Sequence, residues 1–586
     1  MSLAEAAPDG PVLGVFDGTH DAGAALVVGG RLVAAASEER FTRVKGQGGW
    51  PAASIAACLD EAGVSGAELT QVAFSGLVNP NPGLRLARPL QERWHLDDAD
   101  AWNPTGVRGR MVEALQLRSP FPKLQSGGRV MRTLSPVVRR ALRAQLRRSL
   151  PGTRAGITLH DHHACHAGAA WHTAGWDEGL VLVADGVGDG LALSAWRGKG
   201  QGLERILAWP FPHSHGLLYA TITAMLGYRP FRHEGKLAGL AAHGDPDAVP
   251  LAWPFQGPVR DRELVPGLGQ PLRQKLAPLS RCEPEDVCAW LQRGLEADLV
   301  GLLAALHVDT GLGKIALAGG VFANVSLNRA VARLPGIEAV WVFPHMGDGG
   351  LAAGAALLGA PPRAPVAMQH AFLGAAVGDP TAALGGLGEG ARVRHPDGLE
   401  ALADATAEII AGGGIVAVCR GRAEYGPRAL GHRSILASAA DPNMNARLNR
   451  ALRRSDHMPF APAMLAEDAA ADLDFVRPIT QAARFMTVTA GARPGLVVDC
   501  PAVVHVDGTL RPQLVHAEST PFLHAVLVAL RRRTGRGVAL NTSFNVHEEP
   551  IVQTLEDAVQ AWNQAGLDAL VLGDALVERV PSPQRS

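Results

Sequence analysis

Gly179-Leu180-Val181-Leu182-Val183-Ala184-Asp185-Gly186-Val187-Gly188-Asp189-Gly190-Leu191-Ala192-Leu193-Ser194-Ala195-Trp196 is the stretch that decides the fold. The apolar run 179–184 predicts a buried strand. Asp185–Gly190 is a Gly-rich turn, Leu191–Trp196 the next strand, and Gly198-Lys199-Gly200 the turn after it. The same phrase stands at the start of the chain. Val12–Phe16 is apolar, Asp17-Gly18-Thr19-His20-Asp21-Ala22-Gly23 is a polar turn, and Ala24–Val28 and Arg31–Ala36 follow, joined by Gly29-Gly30. A Gly-Gly pair between apolar runs signals a hairpin. The two copies lie roughly 170 residues apart, and repetition on that scale predicts a duplicated domain. Each copy sets an Asp at a strand end beside glycines that let backbone N–H groups approach a phosphate.

Two later junctions complete the pattern. Lys314–Ala318 leads through Gly319-Gly320-Val321-Phe322-Ala323-Asn324 into a helix over Val325–Leu334. Phe343-Pro344-His345-Met346-Gly347-Asp348-Gly349-Gly350 precedes an Ala-rich helix. A strand, Gly-Gly, helix junction lets a nucleotide sit against backbone amides and a helix dipole. Two strand–Asp–Gly hairpins and two such junctions predict an α/β actin-like ATPase (ASKHA) domain over residues 1–360. Residues 78–155 are expected to be an insertion, with an Arg-studded, solvated amphipathic helix at Val137–Leu150. Residues 361–400 are expected to be linker, and a second α/β domain to fill 401–586.

The 586 residues exceed a single core, and 47% hydrophobic with 19% charged residues is ordinary globular composition. The formal net charge of −1 excludes a globally basic nucleic-acid coat. Cys58, Cys165, Cys282, Cys288, Cys419 and Cys500 form no CxxC pair, which argues against a zinc ribbon or disulfide framework and for a reducing cytoplasm. MSLAEAAPDG has neither the basic nor the apolar region of a signal peptide. No apolar run approaches the ~18 residues of a membrane span.

Two constellations carry chemistry. In Asp161-His162-His163-Ala164-Cys165-His166, His162 and His166 are i and i+4, on one helix face, and their imidazoles can converge on one ion. Asp185 and Asp348 are the carboxylates expected to complete that shell, while His160 and His163 are given structural or supporting roles. The second constellation is arginine-rich. It runs from Gly421-Arg422-Ala423-Glu424-Tyr425-Gly426-Pro427-Arg428-Ala429-Leu430-Gly431 through Leu448-Asn449-Arg450-Ala451-Leu452-Arg453 to Arg511 and Asn541-Thr542-Ser543-Phe544-Asn545. Arg fixes planar oxyanions through paired N–H donors. Arg428, Arg453 and Arg511 are the expected anion pocket, and Arg447 and Arg450 a solvated face.

Together with Ser37-Glu38-Glu39-Arg40-Phe41-Thr42-Arg43, Glu234-Gly235-Lys236-Leu237-Ala238-Gly239-Leu240-Ala241 and Met458–Pro462, these motifs resemble the NodU/CmcH/TobZ family of O-carbamoyltransferases nearly end to end. The resemblance implies an N-terminal ASKHA domain of the HxxxH type and a C-terminal YrdC-like domain. It implies that carbamoyl phosphate and ATP give carbamoyl adenylate, and that a hydroxyl then takes the carbamoyl group. Iron, Fe(II) or another divalent ion, is implied at His162, His166, Asp185 and Asp348, with Mg²⁺ accompanying ATP. Gly319, Gly320 and Asn324 would hold adenosine and Lys236 would contact the nucleotide. Arg428, Arg453, Arg511 and Asn541 would bind carbamoyl phosphate. Relatives often carry Lys where Arg453 stands and an aromatic where His457 stands. A hydroxyl needs a base at neutral pH, and His20 and Asp21, with Asp17 beside them, are the candidates.

The expected partner is a hydroxylated small molecule in secondary-metabolite (antibiotic) biosynthesis, not a nucleic acid or a membrane, with a homodimer as one assembly open to the chain. A tRNA threonylcarbamoyl-type transferase and a non-transferring ASKHA ATPase or binding module are the alternatives. A hydrogenase-maturation carbamoyltransferase would carry paired CxxC motifs, which this sequence lacks.

Overall fold

The computed structural model describes residues 10–77, 129–387, 390–453, 460–474, 477–546 and 548–580. It divides into two units: Met1–Glu38 with Gly46–Met368, and Glu39–Lys45 with Gln369–Ser586. Most of the expected insertion, residues 78–128, lies outside the described residues, as do His457, Met458 and Pro459.

The first unit holds the predicted duplication. Strands β1 (Val12–Phe16), β2 (Gly23–Val28) and β3 (Arg31–Ser37) form an antiparallel meander, and β4 (Gln71–Ser75) and β5 (Gly156–His160) add in parallel on the other side of β1. The order is β3-β2-β1-β4-β5. Strands β6 (Glu178–Gly188), β7 (Leu191–Lys199) and β8 (Gly202–Pro210) repeat the meander. After a small ribbon, β9 (Phe255–Gln256) with β10 (Glu263–Leu264), strands β11 (Lys314–Ala318) and β12 (Ala339–Val342) pair in parallel beside β6. The second order, β8-β7-β6-β11-β12, is the first one again. This is the actin-like topology in duplicate. The β2–β3 hairpin turns through two left-handed residues, Gly29 and Gly30 at φ 57 and 73, and the β6–β7 hairpin through Asp189 and Gly190 at φ 48 and 84. That conformation matches strand twist and suits Gly and Asp.

Small residues bring the layers together. Helix Leu351–Gly359 lies against β1, where a Cβ on Gly14 would strike the Ala352 carbonyl, and against helix His162–Ala174, where a Cβ on Gly354 would strike the Cys165 carbonyl. Helix Arg129–Ser149 buries Val138, Leu142 and Leu146, one per turn, and leaves Arg140, Arg143 and Arg147 exposed. It is the solvated amphipathic helix that the periodicity predicts.

The second unit is built on an eight-stranded mixed sheet. Its order is β14 (Ala391–Arg394), β24 (Ala575–Arg579), β23 (Ala569–Leu572), β15 (Val416–Cys419), β17 (Arg433–Ser438), β22 (Val538–Ser543), β18 (Ala461–Leu465) and β21 (Gln513–Val515). Helices Gly398–Ala411 and Pro521–Thr534 pack together over it, burying Leu402, Ile410, Val526 and Leu530 with Val416 and Val571. Shorter pairs, β13 (Phe372–Ala376) with β16 (Arg422–Glu424) and β19 (Ala490–Gly491) with β20 (Thr509–Leu510), complete the unit.

Residues 361–400 are therefore not a linker. They contain β13 and β14, which belong to the second unit. β14 is an edge strand of only four residues, ARVR, whose alternation is too short to mark a strand and whose Val393 is exposed. Glu39–Lys45 also belongs to the second unit despite its place near the N-terminus. Among the described residues no helix is long and apolar enough to cross a membrane.

Candidate metal and anion sites

Asp161 caps helix His162–Ala174 by accepting from the Ala164 N–H at 2.9 Å, and His162 and His166 follow one turn apart. Asp185 sits at an irregularity of β6, between the paired Ala184 and Gly188, with its carboxylate out of the ladder. Asp348 opens the turn that leads into helix Leu351–Gly359. The fold brings these four together. His162 Nε2 lies 3.2 Å from Asp185 and 3.4 Å from Asp348, and His166 Nε2 lies 3.8 Å and 3.4 Å from the same carboxylates. One donor atom from each falls within 4.8 Å of all the others.

The donor set fits a metal ion. Four donors at ~2.1 Å from one ion are about 3.4 Å from each other on a tetrahedral edge, the separations found here. His166 Nε2 is buried and faces the two carboxylates at 3.8 and 3.4 Å. Two imidazoles and two carboxylates suit Fe, Zn or Mn. Without a cation, burial opposes charge on His162, Asp185 and Asp348. The carboxylates nonetheless hold His162 well above its usual range, and the two histidines hold Asp185 well below the carboxylate range.

The neighbours behave as supports. His163 bonds Ser194 Oγ at 2.9 Å and the Leu191 carbonyl at 3.1 Å, and burial pushes its pKa down to about 3. His160 contacts Thr158 and is pushed down to about 4 by burial. The structural roles expected of both agree with these contacts. Asp189 accepts from the His162 N–H at 2.8 Å and so fixes the start of the helix. Gly188 packs flat against the His162 ring, where a Cβ would collide with it. We expect Gly188→Ala to turn His162 away and weaken metal binding about 10- to 100-fold, the range seen when supports of a metal ligand are lost. Metal content after dialysis against a weak chelator checks this.

His20 faces the cluster with Nε2 3.6 Å from Asp348 and Nδ1 3.0 Å from Asp21. Burial lowers its pKa, but Asp21, Asp348 and Asp185 together raise it to about 9. Asp17 is 1% exposed in the same turn.

The expected nucleotide residues are divided. Gly319, at φ 98, presses on the Ala184 carbonyl, and the Gly320 N–H donates to Asp185 Oδ1 at 3.2 Å, so this turn borders the metal cluster. The Asn324 side chain is taken up otherwise. It caps helix Val325–Ala332 through the Leu327 N–H and exchanges hydrogen bonds with Gln292. Asn at a helix start reads equally as ligand or cap, and the fold uses the cap. Lys236 lies on helix Glu234–Leu240 with Nζ 5.6 Å from the Tyr228 ring.

In the second unit Arg428 and Arg511 are close enough to repel each other. Burial depresses the Arg428 guanidinium to about 10, and burial with the Arg428 charge pushes that of Arg511 well below its usual value. Among the described residues neither buried Nε has a hydrogen-bond partner, nor does the buried Asn541 Oδ1. Asn541 donates to Gln513 Oε1 at 2.7 Å and to the Ala429 carbonyl at 3.3 Å, which places it at the same turn. Arg453 differs from these two half-buried arginines: it is exposed, at φ 55, after the end of helix Met444–Ala451. Arg447 and Arg450 are exposed, as expected of a solvated face.

Several residues that hold this pocket have no legible signal. Glu424 Oε1 accepts from the N–H groups of Leu430, His432 and Arg433 at 2.8–3.1 Å and so folds the turn that carries Arg428. Arg40, 5% exposed, donates to the carbonyls of Glu424 and Gly426, and Arg43 to those of Pro550 and Ile551. Residues 39–45 thus help to build the second unit, and the sequence only marks them as a motif.

A family model described as carbamoyltransferase N-terminus matches residues 11–85, 129–253 and 270–357, and one described as carbamoyltransferase C-terminus matches 407–579. An uncharacterized protein of Synechocystis sp. is 31% identical over 98% of this chain and 97% of its own. Nodulation protein NolNO of Sinorhizobium fredii is 30% identical, covering 96% of this chain and 80% of the relative. A 3'-hydroxymethylcephem-O-carbamoyltransferase of Amycolatopsis lactamdurans is 35% identical over 30% of this chain and 33% of its own.

Proposed function

The chain belongs to the carbamoyltransferase family and is a transferase, and on that footing we propose that it is an ATP-dependent O-carbamoyltransferase that works through carbamoyl adenylate and acts on a small-molecule natural product in the cytoplasm. The observation that carries this reading is the pocket of the second unit, which we regard as YrdC-like. Two desolvated guanidinium groups repel each other there with Nε donors unused, and Asn541 Oδ1 is a buried acceptor without a donor. Carbamoyl phosphate fits both needs. Its phosphate accepts from Arg428 and Arg511, and its NH₂ group donates to Asn541.

In the first half-reaction water takes the phosphoryl group of carbamoyl phosphate, leaving inorganic phosphate and carbamate. A carbamate oxygen then bonds to the α-phosphorus of Mg²⁺-bound ATP, and pyrophosphate leaves. In the second, an acceptor hydroxyl attacks the carbamoyl carbon and AMP departs with the bonding electrons. Of the three candidate bases His20 has the geometry, because Asp21 orients its Nδ1 and its Nε2 faces the cluster. Asp17 is too enclosed, and Asp21 is engaged with His20. His20 must be neutral to accept a proton, and a cation on Asp185 and Asp348 offsets two of the carboxylates that hold it protonated. His162, His166, Asp185 and Asp348 would hold Fe(II), which supplies Lewis acidity to a bound carbonyl or phosphoryl oxygen. Gly320 and Gly319 offer backbone beside this cluster for the adenylate.

The test is to incubate the full chain with ATP, carbamoyl phosphate, Mg²⁺ and Fe(II). We expect pyrophosphate release that depends on carbamoyl phosphate, and a mass gain of one carbamoyl group on a member of a hydroxylated natural-product panel. ATP hydrolysis indifferent to carbamoyl phosphate, or carbamoylation of tRNA alone, overturns the reading.

A further inference from the structure

Asp298 is a buried carboxylate that the proposed reaction does not use. It lies inside helix Pro284–Thr310 and is 1% exposed. The Trp253 Nε1–H donates to its Oδ2 at 2.7 Å, His215 Nε2 lies 2.9 Å from the same oxygen, and Arg262 Nε lies 3.1 Å from Oδ1. The His215 ring is stacked on Phe255, with centroids 3.9 Å apart and planes 2° from parallel. Taking a carboxylate out of water carries a penalty that such partners at best offset, so stability alone does not explain the network.

Its place in the fold does. His215 opens helix His215–Met225, and Ser214 before it is the cap. Ser214 Oγ accepts from the Leu217 N–H at 3.0 Å and lies 3.0 Å from the carbonyl oxygen of Asp185. A hydroxyl has one proton and an amide N–H can only donate, so the hydroxyl proton goes to the Asp185 carbonyl. Asp185 stands in the irregularity of β6, where the ladder with β7 is interrupted between Ala184 and Gly188. The first turn of the helix also presses on this bend. A Cβ on Gly216 would stand 2.9 Å from the Asp185 carbonyl oxygen and from the Gly186 nitrogen.

We propose that Ser214 is a positioning residue for Asp185, the proposed metal ligand, and that the Asp298–His215 pair anchors the helix start that carries Ser214. With the ladder interrupted, the bend at Asp185 is set by what grips it from outside. Ser214 grips the carbonyl, and the Gly320 N–H holds Oδ1 at 3.2 Å. Fixing the carbonyl fixes the direction in which the carboxylate leaves the backbone, toward His162 Nε2 at 3.2 Å. The donor is then aligned before an ion arrives. Among the described residues no hydrogen bond or ion pair joins Asp298 to the four donor residues, so it acts through His215 and Ser214. This inference rests on the metal reading of His162, His166, Asp185 and Asp348 and names what supports it.

The test uses the full chain and its Ser214→Ala, Ser214→Gly and Asp298→Asn variants, with the Ser214→Ala/Asp298→Asn double variant. Co(II) alone is the probe, so no carbamoyl chemistry is needed. Its dissociation constant is read by competition with a chelator and its ligand geometry by its visible absorption bands. Denaturant unfolding reads the folding of each metal-free variant. Gly caps a helix nearly as well as Ser, so a loss shared by Ala and Gly comes from the missing hydroxyl rather than from the cap. Each single variant is expected to bind Co(II) about tenfold more weakly, with shifted bands. The double variant is expected to bind no more weakly than Ser214→Ala, because both changes act on one path. Should Asp298→Asn not fold, His215→Leu takes its place, removing the same hydrogen bond from the other side. Parent-like affinity and bands in both Ser214 variants overturn the positioning role, and a further loss in the double variant overturns the anchor. A parent chain that binds no Co(II) sinks the metal reading, and this inference with it.

Discussion

Arg511→Met is expected to lower kcat/KM for carbamoyl phosphate in pyrophosphate release by about 10²- to 10³-fold and, at the same time, to make the second unit more stable. The two effects have one cause. Arg511 is desolvated, its Nε has no partner, and the charge of Arg428 lies against it. A buried charge without a counter-charge destabilises the folded state. Met keeps most of the apolar stem and removes the charge, so stability rises by on the order of 1 kcal/mol. The anion that draws on both guanidinium groups then loses one charged fork. Denaturant unfolding and the pyrophosphate assay read the two quantities separately. A variant that is active, or one that is inactive and less stable, removes Arg511 from the pocket.

Asp348→Asn is expected to raise the dissociation constant for the metal by about 10²-fold or more and to cut carbamoyl transfer to an acceptor by about 10²- to 10³-fold. Asp348 lies 3.4 Å from His162 and His166 and 3.6 Å from His20, so on the proposed reading one carboxylate would serve both the ion and the nearest base candidate. An amide keeps the shape but not the charge, and a divalent cation is held mainly by charge. Metal per chain after dialysis and transfer rate with saturating metal distinguish lost affinity from lost chemistry. Unchanged metal content would exclude Asp348 as a ligand.

The duplication was legible because it is local. Alternating apolar runs and Asp-Gly or Gly-Gly turns announce each hairpin of β1–β3 and β6–β8, and the helix period sets His162 and His166 on one face. The failures have equally local causes. β14 is an exposed edge strand whose alternation, ARVR, is only four residues long, so residues 361–400 passed for linker. Arg40 carries no sequence mark of burial, because a buried guanidinium is defined by the carbonyls of Glu424 and Gly426, which lie far along the chain.

The sequence by itself determined the duplicated sheet, the histidine pair, the arginine-rich segment and the family, because each is written in short-range period or in ordered motifs. Tertiary structure alone decided how closely Asp185 and Asp348 approach the histidines, that Arg428 and Arg511 are half-buried with no counter-charge among the described residues while Arg453 is exposed, and that residues 39–45 belong to the second unit. Those properties depend on burial and on contacts between distant segments, and no local pattern encodes them.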